Sequence, residues 1–271
     1  MNISVVIPIY NEEENVALLY DELSGVMTSL DCDYEILFID DGSSDSTLSI
    51  LKSIQAGDSS VVVVQFRKNF GQTAAMSAGF DYARGRVIIT MDGDLQNDPH
   101  DIPRLIEKIN EGFDVVTGWR YERKDAFVSR RLPSIIANKI ISWTTGVALH
   151  DYGCTLKAFR KEVIKNIRLY GEMHRFIPAI ASGMGISFTE IKVNHRARRF
   201  GTSKYGISRT IRVVLDLITV KFLLSYATRP IQIFGLLGIV SGMAGFIIAL
   251  ILTIQRQFFG VPLSNRPLLL L

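Results

Sequence analysis

Residues 231–254 form a stretch of 24 residues without a charged side chain, bounded by Arg229 and Arg256. Coiled into an α-helix, a stretch of this length extends about 36 Å, which is enough to cross the hydrocarbon core of a bilayer. Its four glycines would weaken a helix in water, but they permit close packing between helices in lipid. The stretch therefore predicts a membrane span rather than a buried core helix. Pro267 and four leucines end the sequence, and they predict the start of a second span at 267, in a chain cut off within it.

Upstream of this stretch, short apolar runs alternate with amphipathic segments. Strands are predicted near 2–9, 35–40, 61–66, 86–91, 113–117, 155–160 and 186–194, and helices near 12–30, 45–56, 72–84, 100–111, 129–148 and 174–183. Asn11 is predicted to cap the first helix, because three glutamates follow it where the helix dipole favours acidic side chains. This order predicts an α/β fold with an open, mostly parallel sheet and helices on both of its faces.

The charges divide between the two halves of the chain. Residues 1–118 carry 20 acidic and 7 basic side chains, whereas residues 119–271 carry 7 acidic and 23 basic ones. The acidic half suits a cation, and the basic half suits phosphate groups or an anionic membrane surface. Residues 207–228 are apolar with sparse charge, which favours helices lying on a membrane, with a packed soluble helix as the alternative. The predicted organisation is a catalytic domain at 1–205, amphipathic interface helices at 206–229 and a transmembrane region at 230–271.

Several common classes of protein lack their signatures here. Two cysteines, Cys32 and Cys154, with no CxxC, exclude a disulfide scaffold and indicate a reduced compartment. The sequence contains no GxGxxG, GxxxxGK[ST] or HExxH, so dinucleotide oxidoreductases, P-loop NTPases and zinc proteases lose their main motifs.

Acidic residues instead follow three of the predicted strands. The first strand leads into Pro8, Tyr10 and Glu12, the second into Ile39, Asp40 and Asp41, and the fourth into Asp92, Gly93, Asp94 and Gln96. Parallel strands bring their carboxyl ends to one edge of a sheet, where ligands bind. Carboxylate and amide oxygens are hard ligands that suit Mg²⁺ or Mn²⁺, and such ions complete their shells with substrate phosphates. The spacing Asp92-x-Asp94-x-Gln96 therefore predicts a site for a divalent ion and a phosphorylated ligand.

The segments VVIPIYNEEENV, FIDDGSSDST, FGQTAAMSAGF and MDGDLQNDP together resemble the family 2 inverting glycosyltransferases. Later segments, GWR, GCTLKAFRKEV, HRFIP and GTSKYG, resemble its polyisoprenyl-phosphate branch, which includes dolichol-phosphate mannose synthase and bacterial bactoprenol glucosyltransferases. The resemblance covers about residues 1–255 and implies a GT-A fold, which is Rossmann-like, with a nucleotide-sugar donor and a Mg²⁺ or Mn²⁺ ion. The QxxRW motif of processive polysaccharide synthases is absent, since residues 172–176 read EMHRF.

Residues 196–204, RARRFGTSK, form a predicted basic loop, and this loop and the resemblance assign roles to individual residues. The donor nucleotide sugar is assigned to Pro8, Tyr10, Glu12, Ile39, Asp40, Asp41, Asp92, Gly93, Asp94, Arg198 and Lys204. The ion is assigned to Asp92, Asp94 and Gln96, and the acceptor phosphate to Arg120, Arg130, Ser134 and His195. The catalytic set is Asp94, Arg120, Arg130, Asp151 and Lys204. Asp151 is the general base if one is used, or else a cap for the segment after it, and His195 fits strand-end structure equally well.

The ionisation of a phosphate acceptor indicates how the expected reaction would proceed. A phosphate monoester has a second pKa of about 6, so it is largely dianionic at neutral pH and scarcely needs a base, unlike a sugar hydroxyl. We expect transfer of glucose from UDP-glucose to an undecaprenyl-type phosphate. Alternatives are a GDP-mannose-using enzyme, a glycosyltransferase acting on a sugar hydroxyl of a lipid or polysaccharide, and an inactive nucleotide-sugar binding protein. The resemblance also implies a bacterial inner-membrane protein with its catalytic domain in the cytoplasm, a homo-oligomer such as a tetramer, and no nucleic-acid partner.

Overall fold

The computed structural model describes residues 2–121, 141–142, 146–165, 167, 169, 171, 173–183, 185–200, 215, 218–222, 226 and 229–259. Packing divides the chain into two units, Met1–Lys221 and Phe222–Leu271. Three of the residues assigned from the sequence, Arg130, Ser134 and Lys204, lie outside the described residues, as does the second span predicted from 267. Most of the predicted 129–148 helix and most of the interface segment at 206–229 also lie outside them.

The first unit alternates strands and helices as the sequence predicts. Its strands are β1 Ile3–Ile9, β2 Tyr34–Asp40, β3 Val61–Gln65, β4 Val87–Thr90, β5 Val115–Trp119, β6 Lys157–Arg160 and β7 Phe188–Lys192. Its helices are α1 Val16–Thr28, α2 Thr47–Gly57, α3 Gln72–Tyr82, α4 Ile102–Asn110, α5 Lys161–Lys165 and α6 Ile177–Ser182, with 3₁₀ turns at Pro99–Asp101 and Met173–Phe176.

The described strands form one sheet in the order β3-β2-β1-β4-β6-β5-β7. Strand β6 is antiparallel to β4 and β5, and the other neighbouring pairs are parallel. In the β1–β2 register Ile9 lies opposite Asp40, so the carboxyl ends of these strands meet at one edge of the sheet. The expected GT-A fold, with its mostly parallel sheet, is confirmed.

Helices cover both faces of the sheet because its central strands are apolar on both sides. On one face, Val5 and Ile7 of β1 join a buried cluster with residues of α1 and α4. On the other face, Val6 packs with residues of β2, α3 and α6. Helix α3 approaches β1 so closely that a β-carbon at Gly79 would overlap the Val6 side chain. Glycine at this position therefore lets α3 lie against the strand that leads into the site.

The predicted capping of α1 by Asn11 is wrong. The helix begins at Val16, and Asn11 has a left-handed backbone, with φ of +51°. Its side-chain Oδ1 accepts hydrogen bonds from the backbone N–H of Ser44 (2.8 Å), and its own N–H donates to Ser43 Oγ (2.9 Å). Asn11 thus fastens the loop after β1 to the loop after β2, because asparagine tolerates a left-handed turn that most residues avoid.

The second unit contains a 29-residue helix, α7, over Ile231–Phe259. Among the described residues this is the one helix that is long and apolar enough to cross a membrane. It contains all of the stretch at 231–254, and most of its apolar side chains are exposed.

Candidate active site

A pocket opens at the carboxyl edge of the sheet, beside β1, β2 and β4. Its lining consists of Pro8, Ile9, Tyr10, Glu12, Asp41, Asn69, Gly71, Gln72, Asp92, Gly93, Asp94 and Arg198. Eight of these residues belong to the nucleotide-sugar set assigned from the sequence. The structure therefore gathers residues from positions 8 to 198 of the chain around one concave surface.

Two members of that set lie elsewhere. Ile39 is fully buried in the cluster between the sheet and α3, and Asp40 is also fully buried. Asp40 Oδ1 accepts a 3.2 Å hydrogen bond from the backbone N–H of Ser43. Strand β2 continues through Asp40, so these two side chains remain within the sheet instead of facing the pocket.

Asp41 forms part of the pocket wall. Its carboxylate accepts backbone hydrogen bonds from Phe70 (2.7 Å) and Gly71 (2.9 Å), in the loop that leads into α3. Burial raises the pKa of Asp41, although the two amides favour its charged form. Gly71 has φ of +95°, which glycine adopts at low cost, and this turn places the start of α3 at the pocket.

The Asp92 carboxylate is held from two sides. Its Oδ1 accepts from Gln72 Nε2 (2.7 Å), and its Oδ2 accepts from Thr155 Oγ1 (2.7 Å). The Asp92 backbone N–H donates to Asn97 Oδ1 at 2.9 Å. Sequence reasoning missed Gln72, Thr155 and Asn97. Gln72 had a usable signal, because it lies in the segment FGQTAAMSAGF just after a predicted strand, whereas Thr155 comes from a distant part of the chain.

Asp94 lies beside Asp92 and bears an ion pair. Its Oδ1 accepts from the backbone N–H of Gln96 (3.1 Å), and its Oδ2 lies 2.6 Å from Arg198 Nη2. Burial and the neighbouring charge of Asp92 raise the pKa of Asp94 to about 6, while Arg198 opposes the shift. The buried Asp94 and the half-buried Asp92 thus carry more negative charge in one pocket than Arg198 offsets.

These residues fit a divalent cation. Asp92 and Asp94 supply hard oxygen donors, and a bound cation would favour the charged form of Asp94, which burial and then the charge of Asp92 disfavour. Gln96 is placed differently, because its side-chain amide donates to the backbone carbonyl of Arg196 (3.4 Å) and it does not belong to the pocket lining. Two of the three ligands expected from the sequence therefore share the pocket.

A second acidic group lies outside the pocket, at Glu22, Asp98 and His100. Arg196 Nη2 lies 2.6 Å from Glu22 Oε1 and 2.7 Å from Asp98 Oδ1. The guanidinium of Arg196 is therefore the cation that balances these carboxylates. Burial alone would raise the pKa of Asp98, but hydrogen bonds from Asn194, His100 and Arg196 lower it to about 2. This ion-pair cluster ties the segment after β7 to α1 and to the loop after β4.

Arg120 and Asp151 form a buried, bidentate ion pair. Arg120 Nε lies 2.7 Å from Asp151 Oδ2, and Arg120 Nη2 lies 2.9 Å from Asp151 Oδ1. Burial disfavours the charge of Arg120, but the bonds to Asp151 raise its pKa overall. Asp151 Oδ1 also accepts from the backbone N–H of Gly153 (3.1 Å), as a residue that caps the following segment would. Neither residue of this pair belongs to the pocket lining.

His195 is buried and lies in strand-like structure. It forms an isolated antiparallel bridge with Asn97, in the loop that also carries Asp94. One residue further on, the Arg196 backbone N–H donates to the Gln96 carbonyl at 3.0 Å. The segment after β7 is thus laid along the loop after β4.

Known proteins are similar to this chain in sequence. The model of the family described as Glycosyl transferase family 2 matches residues 4–168. The dodecaprenyl-phosphate galacturonate synthase of Rhizobium johnstonii is 46% identical over 274 residues, which cover 100% of this chain and 81% of that protein. The undecaprenyl-phosphate 4-deoxy-4-formamido-L-arabinose transferase of Pseudomonas aeruginosa is 39% identical over 270 residues, covering 99% of this chain and 78% of that protein.

Solved structures share the fold at low sequence identity. Glucosyl-3-phosphoglycerate synthase from Mycobacterium tuberculosis, in complex with Mn²⁺, UDP and phosphoglyceric acid, aligns with a TM-score of 0.63 and 18% identity, covering 82% of this chain and 78% of that one. S. aureus TarS 1-349, in complex with UDP-GlcNAc, aligns with a TM-score of 0.58 and 20% identity, covering 82% and 67%. Sheet order, pocket, family match and relatives agree, and this chain belongs to glycosyl transferase family 2, in the branch of polyprenyl-phosphate glycosyltransferases.

Proposed function

We propose that this glycosyltransferase moves a sugar from a nucleotide sugar to a polyprenyl phosphate. The observation that carries this proposal is the carboxylate pair Asp92 and Asp94, which faces one pocket together with Tyr10 and Arg198 at the carboxyl edge of the sheet. The relatives described above support the acceptor, because both are named for a polyprenyl phosphate.

The pocket supplies groups for the nucleoside and the diphosphate of the donor. Pro8, Tyr10 and Asp41 would bind the nucleoside, and Asp92 and Asp94 would hold a Mg²⁺ or Mn²⁺ ion. The ion, when bound, offsets the charge that builds on the departing nucleoside diphosphate. We assign Arg198 and Lys204 to the same group, where they would add positive charge.

The acceptor phosphate needs positioning more than it needs a base. As a dianion it attacks the anomeric carbon from the face opposite the leaving group, and the anomeric configuration inverts. We assign Arg120, Arg130, Ser134 and His195 to this phosphate. Asp151 is committed to Arg120 by two short hydrogen bonds, so its proposed role is to orient that guanidinium.

Two sequence relationships bear on which sugar is transferred. The resemblance of the sequence to bactoprenol glucosyltransferases favours UDP-glucose, whereas the 46% identical relative is named for galacturonate and matches the whole chain. We propose a UDP-linked sugar donor, with UDP-galacturonate as the first candidate and UDP-glucose as the second.

The membrane arrangement is part of the same proposal. Residues 231–254 within α7 span the membrane, residues 206–229 lie at its surface and residues 1–205 hold the active site. We place the catalytic domain on the cytoplasmic side of a bacterial inner membrane, where nucleotide sugars are available. The glycines of α7 suit packing against another helix, in a second span or in another subunit, and the family resemblance favours a homo-oligomer.

The test is product analysis with the full chain in detergent micelles containing undecaprenyl phosphate. Radiolabelled UDP-galacturonate, UDP-glucose and GDP-mannose serve in turn as donors. We expect a labelled lipid whose sugar is released by mild acid, as a sugar phosphate ester is. Label in an acid-stable glycoside would overturn the phosphate acceptor, and nucleotide binding without transfer by any donor would indicate a binding protein.

A further inference from the structure

Arg198 forms an ion pair with the carboxylate of Asp94, which the function proposed above assigns to a divalent ion. Arg198 Nη2 lies 2.6 Å from Asp94 Oδ2, and both side chains are largely withdrawn from solvent, at 22% and 10% exposure. The other oxygen, Asp94 Oδ1, accepts the Gln96 backbone N–H at 3.1 Å. Both Asp94 and Arg198 line the pocket. Arg198 is thus the internal counter-charge of Asp94.

We propose that Arg198 is a counter-ion latch: its guanidinium pairs with Asp94 when no divalent ion is bound, and it leaves Asp94 when a divalent ion binds. The donor diphosphate provides the anion that takes up the released guanidinium. Ion and nucleotide therefore bind with positive coupling, and Arg198 is the residue that couples them. This inference rests on the proposed function, in which Asp92 and Asp94 hold the ion beside a nucleoside diphosphate.

Sterics and charge make the two cations competitors at Asp94. A carboxylate oxygen binds Mg²⁺ at about 2.0–2.1 Å. Arg198 Nη2, only 2.6 Å from Asp94 Oδ2, occupies space next to that oxygen, and its positive charge would repel the ion. An ion that binds Asp94 alone must therefore displace a partly buried guanidinium and leave it without a partner.

A nucleoside diphosphate removes that penalty. It brings negative charge to the same pocket, and arginine forms strong, bidentate hydrogen bonds with phosphate oxygens. Arg198 then exchanges one anionic partner for another while the ion takes Asp94. The exchange needs only a rotation of the Arg198 side chain, provided that its backbone stays in place.

The neighbouring contacts hold that backbone. Two residues before Arg198, the guanidinium of Arg196 contacts Glu22 and Asp98 at 2.6 and 2.7 Å. The Arg196 backbone N–H also donates to the Gln96 carbonyl at 3.0 Å. The segment that carries Arg198 is therefore fastened to the loop that carries Asp94, and the latch returns to the same carboxylate when the site empties.

The experiment measures the ion itself, by electron paramagnetic resonance titration of Mn²⁺ into the purified full chain. The parent, Arg198→Gln and Arg198→Lys are compared without nucleotide and then with UDP or GDP. The matched control is Arg199→Gln, because Arg199 is exposed and its guanidinium lies 5.3 Å from the centre of the Phe200 ring. Circular dichroism and thermal unfolding confirm that each variant is folded.

Without nucleotide, Arg198→Gln is expected to bind Mn²⁺ at least about fivefold more tightly than the parent, in the usual range of coupling between sites. The enhancement of Mn²⁺ binding by nucleotide should shrink by the same factor, and Arg199→Gln should match the parent. Arg198→Lys keeps the positive charge but cannot form bidentate hydrogen bonds. Its Mn²⁺ affinity without nucleotide should therefore lie between those of the parent and Arg198→Gln.

The outcomes separate the latch from the function on which it rests. Equal or weaker Mn²⁺ binding by Arg198→Gln in the absence of nucleotide overturns the latch while leaving the ion site intact. Absence of Mn²⁺ binding in every variant, with or without nucleotide, overturns both the latch and the assignment of Asp92 and Asp94 to an ion.

Discussion

Gln72 Nε2 donates a 2.7 Å hydrogen bond to Asp92 Oδ1, joining the first residue of α3 to the loop after β4. The two residues are 20 positions apart, and both line the pocket. With Thr155 on its other oxygen, the Asp92 carboxylate has a fixed orientation before any ligand arrives. Such supporting contacts decide how well a site is organised for its ligand.

Gln72→Ala should therefore weaken transfer without unfolding the protein. A hydrogen bond to a charged group contributes about 1.5–3 kcal/mol, which corresponds to a roughly ten- to hundredfold lower kcat/KM for the donor. Steady-state kinetics at varied donor concentration measure the effect. The control is Gln55→Ala, since Gln55 is exposed on α2. Equal kinetics of both variants would show that Gln72 does not support Asp92 during catalysis.

Removal of the ion should stop the reaction in the parent protein. We expect EDTA to abolish transfer and added Mn²⁺ or Mg²⁺ to restore it. Asp94→Asn should lose transfer at every ion concentration, because it removes a ligand in the pocket. Gln96→Ala should lose less transfer activity, because the Gln96 amide donates to the Arg196 carbonyl and does not line the pocket. Full activity in EDTA would disprove the metal assignment, and equal losses in the two variants would return Gln96 to the ligand set.

The Arg120–Asp151 pair gives a test of positioning against base catalysis. If Asp151 orients Arg120, Asp151→Asn should raise the KM for polyprenyl phosphate and leave the pH dependence of kcat unchanged in shape. Arg120→Lys should also raise that KM, because lysine cannot form the bidentate pair. A lost limb in the kcat–pH profile of Asp151→Asn would instead identify Asp151 as the general base. Calorimetric titration with UDP is the control, since donor binding should be unaffected.

Glu35 predicts a pH-dependent stability that is independent of the active site. Its buried carboxylate accepts from Ser4 Oγ (2.6 Å), from the Arg84 backbone N–H (2.7 Å) and from Arg84 Nε (2.7 Å). Burial opposes ionisation, but these bonds lower the pKa of Glu35 below its ordinary value of 4.5. The stabilisation is therefore complete above pH 4.5 and is lost as the pH falls through the lower folded-state pKa.

Glu35→Gln should lower the free energy of unfolding at pH 7 by about 1–3 kcal/mol, because a buried network loses charged hydrogen bonds. The difference from the parent should shrink below pH 4.5. Denaturant unfolding at pH 7, 5 and 4, followed by tryptophan fluorescence, measures it. The control is Glu107→Gln, at an exposed position of α4. A difference that is the same at all three pH values would exclude ionisation of Glu35 as its source.

The sequence predicts which strands lead into the site but not the residue at which each strand ends. Asp92 and Asp94 face the pocket because β4 ends at Thr90 and a turn follows, as the spacing indicates. At β2 the same reasoning places Asp40 in the site, but hydrogen bonding to β1 continues through it and buries its side chain. Local pattern does not reveal the residue at which pairing with a neighbouring strand ends.

The supporting contacts of the site depend on distant pairing. Thr155 reaches Asp92 across 63 positions because β6 lies antiparallel to β4, and no periodicity near either residue encodes that placement. Arg196, in the segment after β7, reaches Glu22 of α1 across 174 positions. The residue types of the site could be predicted from motifs, whereas their partners required the sheet order.

The position of β6 also governs how the chain must fold during synthesis. Lys157–Arg160 pairs with β4 on one side and β5 on the other, although both of those strands come earlier in the sequence. Until residue 160 has left the ribosome, one edge of β4 and both edges of β5 therefore lack their partner strands, since β7 is made later still. Unpaired edges invite association with other chains, and non-local pairing of this kind forms slowly. The order in which the strands emerge thus makes β6 the strand that joins β5 to β4, and β7 then completes the sheet by pairing with β5.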